Sequence, residues 1–182
     1  MKELRKMTQA EVAAYVQNHL KRRGITVVLS GGAAVAIYSL NKYVSRDIDL
    51  VNSYAVERKR IRAAMEEIGF REIAKYFHHP QTSHIVEFPT GPLAIDDEPV
   101  EQLATIRLAT GNLRLITATD CVRDRLAAYY FWDDRSSLEQ AVLVACQKRV
   151  SMTEIRKWST KLGMLPKFES FRRRVAGSRR AS

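Results

Sequence analysis

Residues 27–51 read VVLSGGAAVAIYSLNKYVSRDIDLV, and this stretch decides the fold. Ile25–Leu29 is a short β-branched apolar run, expected as a buried strand. Ser30-Gly31-Gly32 follows as a sharp turn, and residues 33–40 read as a helix of small residues. Asp47–Val51 then alternates carboxylate and apolar side chains, a strand pattern. On a strand, residues two apart face the same way, so Asp47 and Asp49 project to one side. Apolar Ile48, Leu50 and Val51 make this strand half-buried rather than a solvated edge. Two carboxylates held that close repel unless a cation lies between them. Mg²⁺ takes hard oxygen ligands, commonly a few carboxylates plus substrate phosphates. Glycines lack a Cβ, so backbone N–H groups at the helix start can approach a phosphate. Scaffold, anion site and cation site thus fall within one stretch, an arrangement suited to metal-assisted phosphoryl chemistry.

Outward from that stretch the pattern stays mixed. Upstream, residues 8–23 have helical spacing, with Thr8 and Glu11 placed as a capping box and Gly24 as the terminator. Downstream, residues 55–68 form an amphipathic helix closed by Gly69. Residues 70–77 and 83–88 read as two strands joined at His79-Pro80-Gln81, and residues 89–99 as a loop. Residues 102–109 and 113–117 flank Thr110-Gly111-Asn112 as a hairpin. From Thr117 onward the pattern is helical: about 120–132, 137–149, 153–162 and 167–175, with a frayed GSRRAS tail. The expected class is α+β. A mixed β-sheet with flanking helices spans residues 1–117, and a C-terminal helical region with a basic tail spans 118–182.

These motifs resemble the nucleotidyltransferase superfamily of the DNA polymerase β type. Its signature is an apolar strand, Gly-Gly or Gly-Ser, a helix, then Asp-apolar-Asp-apolar, with a third carboxylate on a later strand. Leu29-Ser30-Gly31-Gly32 and Asp47-Ile48-Asp49-Leu50 match the first parts, and Glu87 in Ile85-Val86-Glu87-Phe88 matches the third. Within the superfamily the chain is most similar to AbiEii-type toxins and their relatives, through Ala34 and through Ser45 two residues before the first Asp. That group also has a basic residue on a helix beyond the sheet. Arg125 is the counterpart, with Arg123 second, and Asp134 is the matching later acid.

The resemblance implies a metal-dependent nucleotidyltransferase with an NTP as substrate. Asp47 and Asp49 would bind one Mg²⁺ or Mn²⁺ that holds the triphosphate. With Glu87 they would bind a second ion that activates an acceptor hydroxyl. Ser30, Gly31, Gly32 and Ser45 would serve the nucleotide, and Arg125 would offset charge on the leaving group. The acceptor expected is RNA, with tRNA as a specific case, or a protein. The biological version is the toxin of a toxin–antitoxin pair with a cognate antitoxin. A small-molecule nucleotidyltransferase of the antibiotic-modifying kind is the alternative, and an inactive RNA- or protein-binding relative is the other.

Composition frames these readings. The 182 residues hold 30 Lys and Arg against 20 Asp and Glu, a net charge of +10. Residues 1–24 carry +4 and residues 151–182 carry +7, whereas residues 76–118 carry −3. The basic ends therefore favour a polyanionic partner apart from the carboxylates. No run approaches the roughly eighteen apolar residues of a membrane span, and the N-terminus lacks a signal-peptide core, so the expectation is cytoplasmic with no membrane partner. Cys121 and Cys146 are too few for a disulfide framework and are expected as buried thiols. His78, His79 and His84 are expected in a solvated turn, although three histidines so close could ligate a metal. Arg58-Lys59-Arg60-x-Arg62 reads as a solvent face, with a nucleic-acid-facing role as the rival.

Overall fold

Thr8 opens α1 (Gln9–Arg22) with the full capping box: its side chain accepts from the Glu11 N–H, and the Glu11 carboxylate accepts from the Thr8 N–H. Both partners of that exchange were legible, and the helix ends at Gly24 with φ +70°. The computed structural model describes residues 3–52, 54 and 56–180. After α1 come β1 (Val27–Ser30), α2 (Gly31–Tyr38), β2 (Asp47–Asn52) and α3 (Arg58–Glu66). Then follow β3 (Arg71–Ile73), β4 (Tyr76–His79), β5 (Thr82–Glu87), β6 (Ala94–Ile95), β7 (Glu98–Pro99), β8 (Leu103–Leu108) and β9 (Gly111–Ile116). The chain closes with α4 (Ala118–Trp132), α5 (Arg135–Gln147), α6 (Met152–Lys161) and α7 (Leu165–Arg180).

The expected α+β class holds. Among the described residues the main sheet has seven strands in the order β3-β4-β5-β2-β1-β9-β8, and β6 with β7 forms a separate small pair. The sheet is mixed: β2 runs antiparallel to β1 but parallel to β5, and β1 runs parallel to β9. Leu29, Leu50 and Leu115 are in register, as are Ile48, Val86 and Phe77. Register neighbours share a sheet face, and all six of these side chains are fully buried. On that face α1 packs across the central strands and against α3. Arg58 and Arg62 of α3 reach Glu72, the register partner of Phe77, which confirms the side.

The chain divides into two units: residues 1–34 with 44–116, and residues 35–43 with 117–182. The second unit is helical. Leu126 and Tyr130 of α4, Leu138 and Ala145 of α5, Trp158 of α6, and Phe168 and Phe171 of α7 are buried. Tyr130 stacks on Trp158 with ring centroids 5.5 Å apart, and the Tyr130 and Ser159 hydroxyls share a 2.8 Å hydrogen bond. Lys167 of α7 donates to the Tyr129 and Tyr130 carbonyls at 2.9 and 3.0 Å, a cation at the C-terminus of α4.

Four expectations are corrected. Residues 70–77 are not one strand but the hairpin β3–β4, turning at Ala74-Lys75 with Ala74 at φ +55°. Residues 89–99 contain the small β6–β7 pair rather than pure loop. The helix after β1 starts at Gly31 itself, so both glycines lie in its first turn. Gly177 to Arg180 continues α7 instead of fraying, because Arg174 pairs with Glu139, Val175 is buried and Arg179 donates to the Ala145 carbonyl at 2.6 Å. Ala181 and Ser182 lie outside the described residues. Cys121 is a buried free thiol and Cys146 a half-buried one. Among the described residues no helix is long and apolar enough to cross a membrane.

Candidate active site

Ser30, Asp49 and Glu87 are brought side by side by register. Ser30 pairs with Asp49 across β1 and β2, and Asp49 pairs with Glu87 across β2 and β5. Adjacent strands lie about 5 Å apart, so these side chains stand as neighbours on one face, opposite the buried leucines. Asp47, two residues earlier on β2, shares that face and is exposed, whereas Asp49 and Glu87 are half-buried. The sequence separation of Glu87 hides a spatial adjacency that only the parallel β2–β5 pairing creates.

Gly31 is placed by two constraints. Its φ is +61°, and a Cβ built there would lie 2.0 Å from Asp49 Oδ2 and 2.9 Å from its Cγ. The Asp49 carboxylate therefore nests against the first residue of α2. The first N–H groups of a helix lack intrahelical acceptors and point toward anions. Ser30, Gly31 and Gly32 thus combine a strand end with a helix start beside Asp49.

The start of β2 is held by residues outside the motif. Ser45 Oγ accepts from the Asp47 N–H and donates to the Asp47 carbonyl, both at 3.2 Å. Gln9 Nε2 of α1 donates to the carbonyls of Ser45 at 2.9 Å and Asp47 at 3.2 Å. Ser45 therefore shapes the backbone beneath Asp47 in this structure. Gln9 shares that task, and no local signal in a helix-first-turn glutamine announces it.

Lys75 is the unexpected member. Its Nζ lies 2.7 Å from Glu87 Oε1 and 4.9 Å from the centroid of the Tyr76 ring. The Glu87 carboxylate and then the Tyr76 hydroxyl hold the Lys75 ammonium above its ordinary pKa. Beneath it, Arg58 donates to the Lys75 carbonyl at 2.7 Å and to Glu72 at 2.8 Å, with its guanidinium 5.0 Å from the Phe77 ring centroid. The 58–62 basic run is therefore partly structural: Arg58 and Arg62 bind Glu72. Burial pushes the Glu72 carboxyl up, but these two guanidiniums outweigh it and hold it below the usual range.

Asp47, Asp49 and Glu87 are hard oxygen donors on one face, and a side chain at residue 31 would fill the place of the Asp49 carboxylate. That donor set suits Mg²⁺ or Mn²⁺. However, among the described residues no three His, Cys, Asp or Glu side chains are close enough together to hold one ion. The three carboxylates share a face without converging. The histidines do not form a metal centre either, and they are not a solvated turn. His79 lies in β4, packs on Phe70 with centroids 5.0 Å apart and accepts from the Gln81 N–H at 3.0 Å. Burial lowers the pKa of both His79 and His84.

Arg125 and Asp134 belong to the second unit. Arg125 forks onto the Asp124 carboxylate through Nε at 2.9 Å and Nη2. Asp134 is the N-cap of α5 and accepts from the Ser136 and Ser137 N–H groups at 2.9 and 3.2 Å. Arg123 pairs with Asp120 at 3.1 Å and stacks over Trp158.

No protein-family profile and no curated protein sequence matches the chain. Two solved structures do. One is ANT(2'')-Ia in complex with adenylyl-2''-tobramycin, 17% identical, with a TM-score of 0.50, covering 97% of this chain and 100% of that one. The other is the solution structure of the antibiotic-resistance factor ANT(2'')-Ia, 18% identical, with a TM-score of 0.47 over 95% of this chain and 96% of that one. ANT(2'')-Ia belongs to the nucleotidyltransferase superfamily. The strand–Gly-Gly–helix–strand unit and the mixed sheet of this chain thus form an α+β nucleotidyltransferase-like fold.

Proposed function

We propose that the chain is a metal-dependent nucleotidyltransferase that moves a nucleoside monophosphate from an NTP onto a hydroxyl of a small molecule. The observation that carries this is the in-register row Ser30–Asp49–Glu87 beside Gly31, in a fold shared end to end with ANT(2'')-Ia. Asp47 and Asp49 would hold Mg²⁺ or Mn²⁺, which when bound would neutralise the triphosphate and polarise its α-phosphate. Ser30, Gly31 and Gly32 offer donors to the phosphates. Glu87 would accept the proton of the acceptor hydroxyl. That oxygen bonds to the α-phosphorus, the bond from the α-phosphorus to its bridging oxygen breaks, and pyrophosphate leaves with the electron pair.

The small-molecule acceptor is preferred over RNA or protein for two reasons. The solved relative is bound to a nucleotidylated antibiotic, adenylyl-2''-tobramycin. In addition, three of the five C-terminal arginines expected to grip a polyanion are engaged within the chain: Arg172 with Glu169, Arg174 with Glu139, and Arg179 with the Ala145 carbonyl of α5. An RNA acceptor, a toxin role and a cognate antitoxin remain the second reading, supported by the +7 of residues 151–182. The test offers α-labelled NTPs, Mg²⁺ and either a panel of hydroxyl-bearing small molecules or total tRNA. Label on a small molecule supports the first reading. Label on tRNA overturns the acceptor assignment while keeping the chemistry.

A further inference from the structure

The geometry points to Lys75 as a tethered cation that takes the place of a second metal ion at Glu87, so that this site binds one divalent ion rather than two. The inference rests on the nucleotidyl-transfer reading above and refines it. Three independent features carry it.

The first is position. Glu87 is the register neighbour of Asp49, and an ion shared by the two would lie between them. The Lys75 ammonium already sits 2.7 Å from Glu87 Oε1. An ammonium and a divalent ion at the same carboxylate repel each other.

The second is the construction of the turn. A two-residue hairpin loop favours glycine or asparagine where φ is positive. Here Ala74 takes that conformation, φ +55°. Strained non-glycine positions cluster at functional sites, and the strain must be held by surrounding structure. Arg58 supplies that hold by donating to the Lys75 carbonyl while anchored on Glu72 and lying against Phe77. The backbone of Lys75 is therefore fixed from the α3 side, while its side chain reaches Glu87.

The third is energetic. Lys75 is 65% exposed and Glu87 21% exposed. Exposed ion pairs contribute little to stability, so stability does not account for this construction. Neutralising Glu87 does, because its register neighbour across β2 and β5 is the like-charged Asp49. A single charge in place of a double one leaves the second Glu87 oxygen able to accept a proton from the acceptor hydroxyl.

The test counts Mn²⁺ bound per chain by electron paramagnetic resonance, without requiring turnover. It uses the full chain as wild type, Lys75→Met, Lys75→Arg and Asp49→Asn. The wild type is expected to bind one Mn²⁺, and Asp49→Asn to lose it. Lys75→Met is expected to bind a second ion, or to bind the first at least tenfold more tightly. Lys75→Arg should restore the single-ion behaviour, with thermal midpoints of all four variants measured alongside. Two ions on the wild type, or identical titrations for wild type and Lys75→Met, would overturn the assignment and leave the transfer reading standing. Absence of any Mn²⁺ that Asp49→Asn removes would instead defeat the metal-dependent reading, and this assignment with it.

Discussion

Gly31→Ala separates two effects that the structure superposes. The first is backbone strain. An L-residue held at φ +61° costs roughly 1–2 kcal/mol. For a chain of this size each kcal/mol lowers the thermal midpoint by about 2–4 °C, so strain alone predicts a fall of about 2–8 °C. The second effect is displacement. The new Cβ would lie 2.0 Å from Asp49 Oδ2, whereas ordinary contact begins at 3.4 Å, so the oxygen must retreat by 1.4 Å. Metal–ligand distances tolerate only about 0.2 Å. Asp49 Cβ is also only 3.2 Å away, so rotating the carboxylate alone does not relieve the clash. Gly24→Ala is the control, because Gly24 has φ +70° with nothing within 4 Å of a built Cβ. Both variants should therefore lose stability in thermal unfolding. Only Gly31→Ala should also lose Mn²⁺ affinity, by at least tenfold in a calorimetric titration. Equal destabilisation with unchanged Mn²⁺ affinity in Gly31→Ala would refute the idea that the turn and Asp49 form one site.

In the second unit, Asp134→Ala removes the cap of α5 and should cost about 1 kcal/mol in denaturant unfolding, with Asp134→Asn recovering most of it. The Ser137 hydroxyl first, then the two backbone N–H groups, hold the Asp134 carboxyl below the usual range, outweighing burial. Its contribution is thus fully present above the unfolded value of about 3.9 and is lost as pH falls through the lower folded value. The stability gap between wild type and Asp134→Ala should therefore close in that acid window; a gap independent of pH would contradict the cap assignment. Tyr130→Phe deletes the buried bond to Ser159 and should cost about 1 kcal/mol. Burial first, with a smaller push from Tyr129, raises the Tyr130 phenol to about 12, so spectrophotometric titration should find it protonated at pH 10.

Residues 27–51 announce the strand–turn–helix–strand unit because each of its signals is local: β-branched residues, paired glycines, alternating carboxylates. The same holds for Thr8 with Glu11, where both halves of the cap are three residues apart. The β3–β4 turn was hidden because an alanine carries its positive φ, and tertiary anchoring through Arg58 overrides propensity there. The end of α7 is hidden for a similar reason: Gly177-Ser178-Arg179-Arg180 reads as a tail unless the contacts of Arg174 with Glu139 and of Arg179 with the Ala145 carbonyl are known. The Asp-apolar-Asp pattern marks Asp47 and Asp49, apolar flanks mark Glu87, and the parallel pairing of β2 with β5 puts Asp49 and Glu87 side by side. Nothing local marks Lys75, since its partner is twelve residues away across a strand order that sequence alone does not fix.

Nucleotidyl transfer at the Asp49–Glu87 row is open to direct measurement. Its most direct test incubates the protein with each α-labelled NTP and Mg²⁺ or Mn²⁺ in the presence of hydroxyl-bearing small molecules, beside an Asp49→Ala variant of matched thermal midpoint. Covalent label on an acceptor with release of pyrophosphate is expected, both lost in Asp49→Ala. Nucleotide that binds without ever labelling an acceptor, or label that persists in Asp49→Ala, would contradict it.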